Sequence, residues 1–296
     1  MSNVLITGAA GGFGKLTVSA LVKAGHKVAG TVRDANGRNK AAAAQLKELG
    51  VTVVEMDVTQ DGSVDQGVSA ALSRLGGIDV VVNNAGVGVL GFQECFTTDD
   101  WRKVFEVNVF GVQRVSRAVL PHFKERGQGL FINISSLLGR MVVPFYGPYN
   151  ASKWALEALS ENYRVELGQL GIETCIVEPG GYPTSFMGNL LRPSEPARAS
   201  SYGAMKDMPD AFFNGFEQAL AGNPVQNPAN VADAIVALVG QPRGERPFRT
   251  MVDKMGMGAA LGTYNAQLEG AMKGVFGAFH IDHLLTVKTD AKPQGR

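Results

Sequence analysis

Short apolar runs alternate with helical patterns along most of the chain. The runs at 4–6, 27–32, 52–56, 78–82, 129–134 and 173–177 predict strands, and the patterns at 14–24, 41–49, 63–75, 99–126, 149–170 and 228–239 predict helices. Thr97 or Thr98 is suited to cap the long fourth helix. Because helices separate successive strands, the strands should pair in parallel through right-handed crossovers. The pattern therefore predicts an α/β fold with a doubly wound parallel sheet, whose ligands bind beyond the carboxyl ends of the strands.

The alternation stops between residues 183 and 228. This stretch contains six prolines and is rich in apolar side chains, including Phe186, Met187, Phe212 and Phe216. Because an ordinary connection is shorter, we expect short helices here that cover a binding site. We interpret residues 1–250 as one domain that includes the covering segment 183–228. Residues 251–296 are interpreted as a Gly- and Met-rich extension of the same domain, ending in a disordered tail.

Composition and charge exclude several classes of partner. Lys and Arg number 28 against 27 Asp and Glu, so the net charge is +1 and no general attraction to nucleic acid is expected. No run of 18 apolar residues predicts a membrane span. Cys95 and Cys175 lie far apart without metal-type spacing, and we predict neither a metal site nor a disulfide framework. No secretory signal is visible, so we expect a cytoplasmic protein.

A glycine-rich turn, TGAAGGFG at residues 7–14, lies between the first predicted strand and the first helix. Glycines at such a turn permit positive φ and a close backbone approach, and a helix N-terminus favours a bound phosphate. Two patterns fit these letters. One uses Gly8, Gly12 and Gly14, and the other uses Gly8, Gly11 and Gly14. The two patterns are typical of different enzymes, and the turn alone does not choose between them.

Arg33 follows the second predicted strand and bears on the choice of cofactor. An acidic residue near this place would accept hydrogen bonds from the ribose of NAD, whereas an arginine suits the 2′-phosphate of NADP. Asp34 is the next residue and could weaken the distinction. We predict that NADP(H) is preferred and that NAD(H) is possible.

Tyr149 and Lys153 stand four residues apart in the sequence YNASK and should share one helix face. An ammonium beside a phenol favours the ionised phenol, so we expect the pKa of Tyr149 to fall from about 10 toward neutrality. Such a tyrosine could act as an acid or a base. Ser136 follows the fifth predicted strand, and Asn108 lies within the long fourth helix, although Asn is a poor helix former. Tyr146 lacks the matching lysine, because residue 150 is Asn.

These motifs together resemble the short-chain dehydrogenase/reductase family, in its compact branch with one Rossmann-type domain. The resemblance runs from residue 3 to about 240 and is carried by the glycine turn, Asp57, NNAG at 83–86, VNVFG around Asn108, NISS with Ser136, the YNASK stretch and EPGG at 178–181. The alternative glycine pattern resembles a branch with a large C-terminal substrate domain, which is missing here. The resemblance therefore favours Gly8, Gly12 and Gly14 as the functional glycines.

The resemblance implies roles for individual residues. Tyr149 is the proton donor or acceptor, Lys153 lowers its pKa and holds the nicotinamide ribose, and Ser136 hydrogen-bonds the substrate oxygen. Asn108 anchors a water that relays protons to Lys153. The cofactor-binding residues implied in this way are Thr7, Gly8, Gly12, Phe13, Gly14, Arg33, Asp57, Val58, Asn84, Ala85, Gly86, Tyr149, Lys153, Pro179, Gly180 and Thr184. Gly181 and Pro183 depart from the family pattern, which puts the role of Thr184 in doubt.

The expected function is hydride transfer between NADP(H) and a ketone, an aldehyde or a secondary alcohol. Two alternatives remain: a protein that senses NADP(H) without turnover, and an NADP-dependent epimerase or dehydratase without net redox. The apolar residues between Phe186 and Phe216 predict a hydrophobic or aromatic substrate, although they could equally pack against the body of the protein. We expect a small-molecule substrate and a homodimer or homotetramer.

Overall fold

Seven parallel strands form one sheet in the structure, a computed structural model that describes residues 1–291. The strands are β1 Asn3–Ile6, β2 Lys27–Val32, β3 Thr52–Glu55, β4 Val80–Asn83, β5 Gly129–Ile134, β6 Ile172–Pro179 and β7 Arg249–Val252. Their spatial order is β3-β2-β1-β4-β5-β6-β7. The prediction of an α/β fold with a doubly wound parallel sheet is confirmed.

Nine α-helices of 8 to 21 residues accompany the sheet within residues 1–291. They are α1 Gly12–Lys23, α2 Lys40–Glu48, α3 Asp61–Leu75, α4 Thr98–Phe105, α5 Gly111–Arg126, α6 Gly147–Leu167, α7 Met208–Ala221, α8 Ala229–Gly240 and α9 Ala259–Ala278. The predicted cap of the fourth helix is Thr97. Its side chain accepts from the N–H of Asp100, whose carboxylate accepts in return from the N–H of Thr97.

Apolar side chains fill both faces of the sheet. On one face, Val18 and Leu21 of α1 and Ile235 of α8 pack against the strands. On the other face, Val68 of α3 and Phe123 of α5 do so. The strands are short continuous apolar runs because both of their faces are covered in this way.

The strand order reverses between β1 and β4, and this reversal opens a crevice beyond their carboxyl ends. Thr7 follows β1, Arg33 follows β2, and Ser136 stands two residues after β5. Residues from distant parts of the sequence therefore meet at one edge of the sheet.

The long helix predicted at 99–126 is interrupted. A π-helical turn, Glu106–Phe110, separates α4 from α5. In the sequence, Asn108 indicated this interruption, because Asn is a residue type that helices disfavour. The extra residue of a π turn often marks a functional site. The turn redirects the Asn108 side chain, as described below.

Two C-terminal elements were not predicted. β7 has a weak apolar pattern because two of its four residues are half-buried and one is exposed. α9 has four glycines within its sequence, which hide its helical periodicity. Of the tail predicted as disordered, Lys288 donates its N–H to the carbonyl oxygen of Gly168 at 2.9 Å, and residues 292–296 lie outside the described residues. No helix between residues 1 and 291 is long and apolar enough to cross a membrane.

Candidate active site

A cleft of about 550 Å³ lies along the carboxyl edge of the sheet. Most of the predicted site residues line it: Gly8, Gly12, Phe13, Arg33, Asp57, Val58, Asn84, Ala85, Gly86, Ser136, Tyr149, Lys153, Pro179, Gly180 and Thr184. Thr7, Gly14 and Asn108 do not line the cleft, but they contact the segments that do. We call the part around residues 7–14, 31–33 and 57–59 the glycine end, and the part around Ser136, Tyr149 and Lys153 the tyrosine end.

The conformation of the glycine turn distinguishes the two patterns left open by its sequence. Gly8 has φ +67° and Gly12 has φ +53°, a region that other residues rarely adopt. A Cβ built on Gly14 would lie 2.2 Å from the carbonyl oxygen of Gly8, so no larger residue fits there. Gly11 has φ −159°, which any residue can adopt. The conformation therefore requires glycine at positions 8, 12 and 14.

Thr7 and Asn84 join the glycine turn to the loop after β4. The Thr7 hydroxyl accepts from the N–H groups of Asn84 and Ala85, both at 3.0 Å. The Asn84 amide donates to the carbonyl oxygens of Thr7 at 2.9 Å and Gly8 at 3.2 Å. These bonds hold the backbone of the turn in one shape at the N-terminus of α1.

Arg33 borders the glycine end, and its side chain is exposed. Asp34, which could have competed with it, has its carboxylate directed elsewhere. That carboxylate accepts from the Arg38 N–H at 3.0 Å and lies 3.9 Å from the Arg38 guanidinium. Asp57 is likewise engaged, because it accepts from the N–H and the hydroxyl of Thr59. The Arg33 guanidinium has no ion-pair partner within residues 1–291.

Asn108 lies behind the tyrosine end and is almost fully buried. Its amide nitrogen donates to the Val87 carbonyl oxygen and to the Ser152 hydroxyl, both at 2.9 Å. Its amide oxygen accepts from the Val87 N–H at 2.8 Å. The π turn places this side chain so that it ties the loop after β4 to α6, the helix that carries Tyr149 and Lys153.

Ser136, Tyr149 and Lys153 converge at the tyrosine end. The Ser136 hydroxyl accepts from the Leu138 N–H at 3.1 Å, which fixes its direction at the start of a 3₁₀ turn, Leu137–Gly139. Lys153 Nζ donates to the Ile134 carbonyl oxygen at 2.8 Å and lies 5.6 Å from the centre of the Tyr149 ring. Two hydroxyls and an ammonium are therefore held together at the inner end of the cleft.

The predicted fall in the pKa of Tyr149 is wrong for this geometry. Burial raises the pKa of Tyr149 to about 12, although a hydrogen bond with Ser136 opposes the rise. Burial also lowers the pKa of Lys153 to about 8. The prediction failed because Lys153 directs its ammonium at a backbone carbonyl rather than at the phenol, while desolvation disfavours the charged form of both groups.

The substrate side of the cleft was only partly visible in the sequence. Apolar side chains line it, from the loop before α6, from the 183–228 segment and from the C-terminal extension: Met141, Val143, Phe186, Met187, Phe212, Phe216 and Met257. Ser185 was also missed, and its hydroxyl accepts from the Gly12 N–H at 3.1 Å. Met141 and Val143 have no family motif to identify them, because only the fold brings them to the cleft.

The residues present fit a pyridine dinucleotide. At Gly12, which lines the cleft, no atom lies within 4 Å of the position that a Cβ would take, and the N-terminus of α1 has backbone N–H groups that favour a phosphate. The cleft continues from there to the two hydroxyls and the ammonium of the tyrosine end. A dinucleotide with one end at the glycine turn could therefore extend to the reacting groups.

A family model described as short chain dehydrogenase matches residues 2–195. A 3-ketodihydrosphingosine reductase of Bacteroides thetaiotaomicron is 36% identical over 253 residues, covering 84% of this chain and 87% of the relative. Retinol dehydrogenase 8 of Bos taurus is 36% identical over 255 residues, covering 83% of this chain and 80% of the relative. The chain belongs to the short-chain dehydrogenase/reductase family.

Solved structures agree with this assignment. A short-chain dehydrogenase from Streptomyces avermitilis has a TM-score of 0.72 and 31% identity. The match covers 94% of this chain and 98% of the Streptomyces protein. An alcohol dehydrogenase from Thermococcus sibiricus, complexed with 5-hydroxy-NADP, has a TM-score of 0.65 and 26% identity, with coverage of 84% and 95%. A 3-ketoacyl-(acyl-carrier-protein) reductase from Brucella melitensis, complexed with NADH, has a TM-score of 0.67 and 26% identity. The match covers 84% of this chain and 96% of the reductase. The chain is an NAD(P)-dependent oxidoreductase of alcohol and carbonyl groups, and these neighbours do not distinguish NADP from NAD.

Proposed function

We propose that the protein interconverts a lipophilic ketone or aldehyde and the corresponding alcohol, with NADP(H) as the preferred cofactor. One observation carries the proposal: Ser136, Tyr149 and Lys153 stand at the inner end of a cleft that runs from the glycine turn to an apolar wall.

The two hydroxyls act on the substrate oxygen. Bound NADP(H) supplies the hydride that is exchanged at the nicotinamide. In the reductive direction Ser136 and Tyr149 donate hydrogen bonds to the carbonyl oxygen, where negative charge develops, and Tyr149 gives up its proton. Lys153 provides positive charge beside Tyr149 and can contact the ribose hydroxyls. Asn108 contributes by fixing α6 against the loop after β4.

NADP preference is supported by the geometry at Arg33. Its exposed guanidinium borders the cleft, while the neighbouring carboxylate of Asp34 is engaged by Arg38. A free guanidinium at this place attracts a 2′-phosphate, and no carboxylate of the turn competes for a ribose hydroxyl.

A lipophilic substrate is supported by the wall of the cleft and by the relatives. Met, Val and Phe side chains line the substrate side of the cleft, and they favour an apolar ligand over a charged one. The names of two relatives refer to a sphingoid ketone and to retinol. Both compounds carry a long apolar body next to the reacting group.

The segment 183–228 is proposed to cover the substrate. Its middle is attached to the body, because Leu191 exchanges backbone hydrogen bonds with Gly88 and Leu90. The Ser194 N–H and hydroxyl both donate to Asp100, at 3.0 and 2.7 Å. The parts before and after this attachment carry Phe186 and Phe212, which line the cleft. We propose that these flanking parts adjust to the substrate and exclude water.

A homodimer or homotetramer remains our proposal for the assembly. A surface groove beside α6 is lined by Trp101, Val142 and Trp154, and Val142 is 72% exposed. Exposed apolar surface of this kind favours a protein partner. Light scattering coupled to size-exclusion chromatography would determine the mass. A monomer at micromolar concentration would contradict the proposal.

The test of function is a substrate panel with NADPH and NADH, followed by the near-ultraviolet absorbance of the reduced nicotinamide. The panel contains all-trans-retinal and 3-ketodihydrosphingosine, with propanal and acetone as small controls. We expect NADPH oxidation with the lipophilic carbonyls and a much lower kcat/KM with the controls. Binding of NADPH without any turnover would favour a sensor, and conversion without an absorbance change would favour an epimerase or dehydratase.

A further inference from the structure

A cluster of buried charges lies directly behind the tyrosine end. Glu157 and Glu161 come from α6, Glu178 from β6, Arg140 from the end of the 3₁₀ turn after Ser136, and Arg249 from β7. Glu178 and Glu157 are 0% and 1% exposed. Glu157 follows Lys153 by one helical turn, so both side chains lie on the same face of α6.

The two arginines bind all three carboxylates. Arg140 Nη2 lies 3.2 Å from Glu157 Oε2 and 2.7 Å from Glu161 Oε1, and its Nε lies 3.7 Å from Glu178. Arg249 Nε lies 3.2 Å from Glu157 and 3.4 Å from Glu178, and its Nη2 pairs with Glu161. Asn265 of α9 donates to Glu178 at 3.1 Å. Each guanidinium is shared among three acids.

One oxygen of Glu157 has no such partner. Glu157 Oε1 and Ser135 Oγ are both buried, and neither makes a hydrogen bond of normal geometry within residues 1–291. The Ser135 hydroxyl is a nearby donor that favours the ionised form of Glu157, but it does not outweigh burial. Both atoms border Gly139, because a Cβ built there would lie 3.2 Å from Glu157 Oε1 and 2.7 Å from Ser135 Oγ. A buried carboxylate oxygen without a donor is costly, and a proton on that oxygen lowers the cost by turning it into a hydroxyl.

The charge count agrees with such a proton. Within ion-pair distance three carboxylates meet two guanidinium groups. Lys153, the next cation, forms no ion pair with them within residues 1–291 and donates to the Ile134 carbonyl oxygen instead. Full ionisation therefore leaves one excess negative charge among the paired groups. A single proton on Glu157 balances the cluster. Burial, and after it the charge of Glu178, raises the pKa of Glu157, and burial also raises the pKa of Glu178. Burial lowers the pKa of Lys153 to about 8, and the charge of Glu157 opposes this.

We propose that Glu157 is a positioning residue whose ionisation holds the proton on Lys153 as the pH rises. The inference rests on the proposed function, in which Lys153 must be cationic to support Tyr149. At neutral pH the proton on Glu157 leaves a balanced cluster beneath a charged Lys153. At higher pH Glu157 becomes an anion one helical turn away, and a nearby negative charge favours the ammonium form.

The charged groups that face Glu157 from each neighbouring element determine whether its ionised form is favoured or disfavoured. Arg140 and Arg249 favour its ionised form, whereas Glu178 and Glu161 disfavour it. Replacing Glu157 by Gln removes the anion and should lower the pKa of Lys153. Replacing Glu161 by Gln removes an anion that disfavours ionisation of Glu157, so Glu157 should ionise at a lower pH. Lys153 should then stay protonated up to the same pH as in the wild type or a higher one.

The experiment compares the pH dependence of kcat/KM for wild type, Glu157→Gln and Glu161→Gln, with NADPH and the fastest carbonyl of the panel. We expect the alkaline limb to move down by about 1 pH unit in Glu157→Gln and to stay or move up in Glu161→Gln. Both variants lose a carboxylate from the same cluster, so a merely structural role would move both limbs alike. The proposal would be overturned if the alkaline limb lay at the same pH in all three proteins, or if it shifted in the same direction in both variants.

A second measurement needs neither turnover nor a variant that folds. Infrared difference spectra of the wild-type protein should show the carbonyl stretch of a protonated carboxylic acid at neutral pH, and this band should disappear at alkaline pH, because burial raises the pKa of Glu157 above that of an ordinary carboxyl. Absence of this band at neutral pH would overturn the proposal.

The variant Lys153→Ala separates a failure of the proposed function from a failure of the role proposed for Glu157. If it stays active, the proposed function fails, whereas an inactive Lys153→Ala together with unmoved limbs in the glutamate variants refutes only the role of Glu157.

Discussion

The two ends of the cleft depend on different kinds of contact. At the glycine end, two loops are held by near neighbours, because Asp34 binds the Arg38 N–H and Asp57 binds Thr59. The glycine turn itself is tied to the loop after β4 by Thr7 and Asn84. At the tyrosine end, side chains meet from distant positions, as when Asn108 bonds Ser152 and Lys153 bonds the Ile134 carbonyl oxygen. The first end presents backbone groups and an exposed cation. The second presents buried side chains whose charge is controlled by their surroundings.

This difference teaches where each property is determined. Binding of a phosphate requires donors and space, which a short loop of glycines provides together with a helix N-terminus. Proton transfer requires a defined protonation state, and that state depends on burial and on every charge nearby. The following changes test this contrast, beginning with the largest expected effect.

Tyr149→Phe removes the proton donor and should lower kcat by about 10²–10⁴-fold, the usual worth of general acid–base catalysis. NADPH affinity, measured by fluorescence titration, should change little because the phenol contributes few cofactor contacts. The matched control is Tyr146→Phe, which removes a hydroxyl from the same cleft three residues earlier. If Tyr149→Phe keeps more than about a tenth of kcat, the assignment of the proton donor is wrong.

Arg33→Asp should shift the cofactor preference toward NAD(H). The change removes a charge-assisted partner of the 2′-phosphate, which is worth roughly 1.5–3 kcal/mol, or about 10- to 150-fold in relative kcat/KM. The control Arg102→Asp makes the same change of charge at an exposed ion pair on α4, outside the residues that line the cleft. A wild type that already prefers NADH would refute the proposed role of Arg33.

Gly14→Ala should destabilise the protein by about 1–3 kcal/mol, because the added methyl group would overlap the Gly8 carbonyl oxygen. Gly11→Ala is the matched control in the same turn. Its backbone is extended, and the nearest atom to an added Cβ is Ser185 Oγ at 3.2 Å. Urea denaturation measures both variants. Equal losses of stability would contradict the assignment of Gly8, Gly12 and Gly14 as the required glycines.

Amide hydrogen exchange should reveal the smallest effect, in the covering segment. Leu191 should be protected with or without ligand, because its backbone pairs with Gly88 and Leu90. Residues on either side, 184–189 and 196–216, should gain protection when NADP⁺ and an alcohol bind. Strong protection of both stretches without ligand, unchanged on binding, would show that they are ordinary core.

The sequence alone determined the order of elements and the positions of the chemical groups. The alternation of apolar runs and helices predicted six of the seven strands and the doubly wound sheet. The ordered motifs predicted the family and many, but not all, of the residues that line the cleft. These features are local or periodic, so they can be identified without knowing which parts of the chain meet.

Only the tertiary structure decided the electrostatics of the site. The pKa of Tyr149 rises instead of falling because Lys153 turns to the Ile134 carbonyl oxygen in a buried environment. The balance of charge around Glu157 depends on Arg140, Glu178 and Arg249, which come from three different elements. Spacing along one helix predicts which side chains share a face, but desolvation and charges from other elements set their protonation.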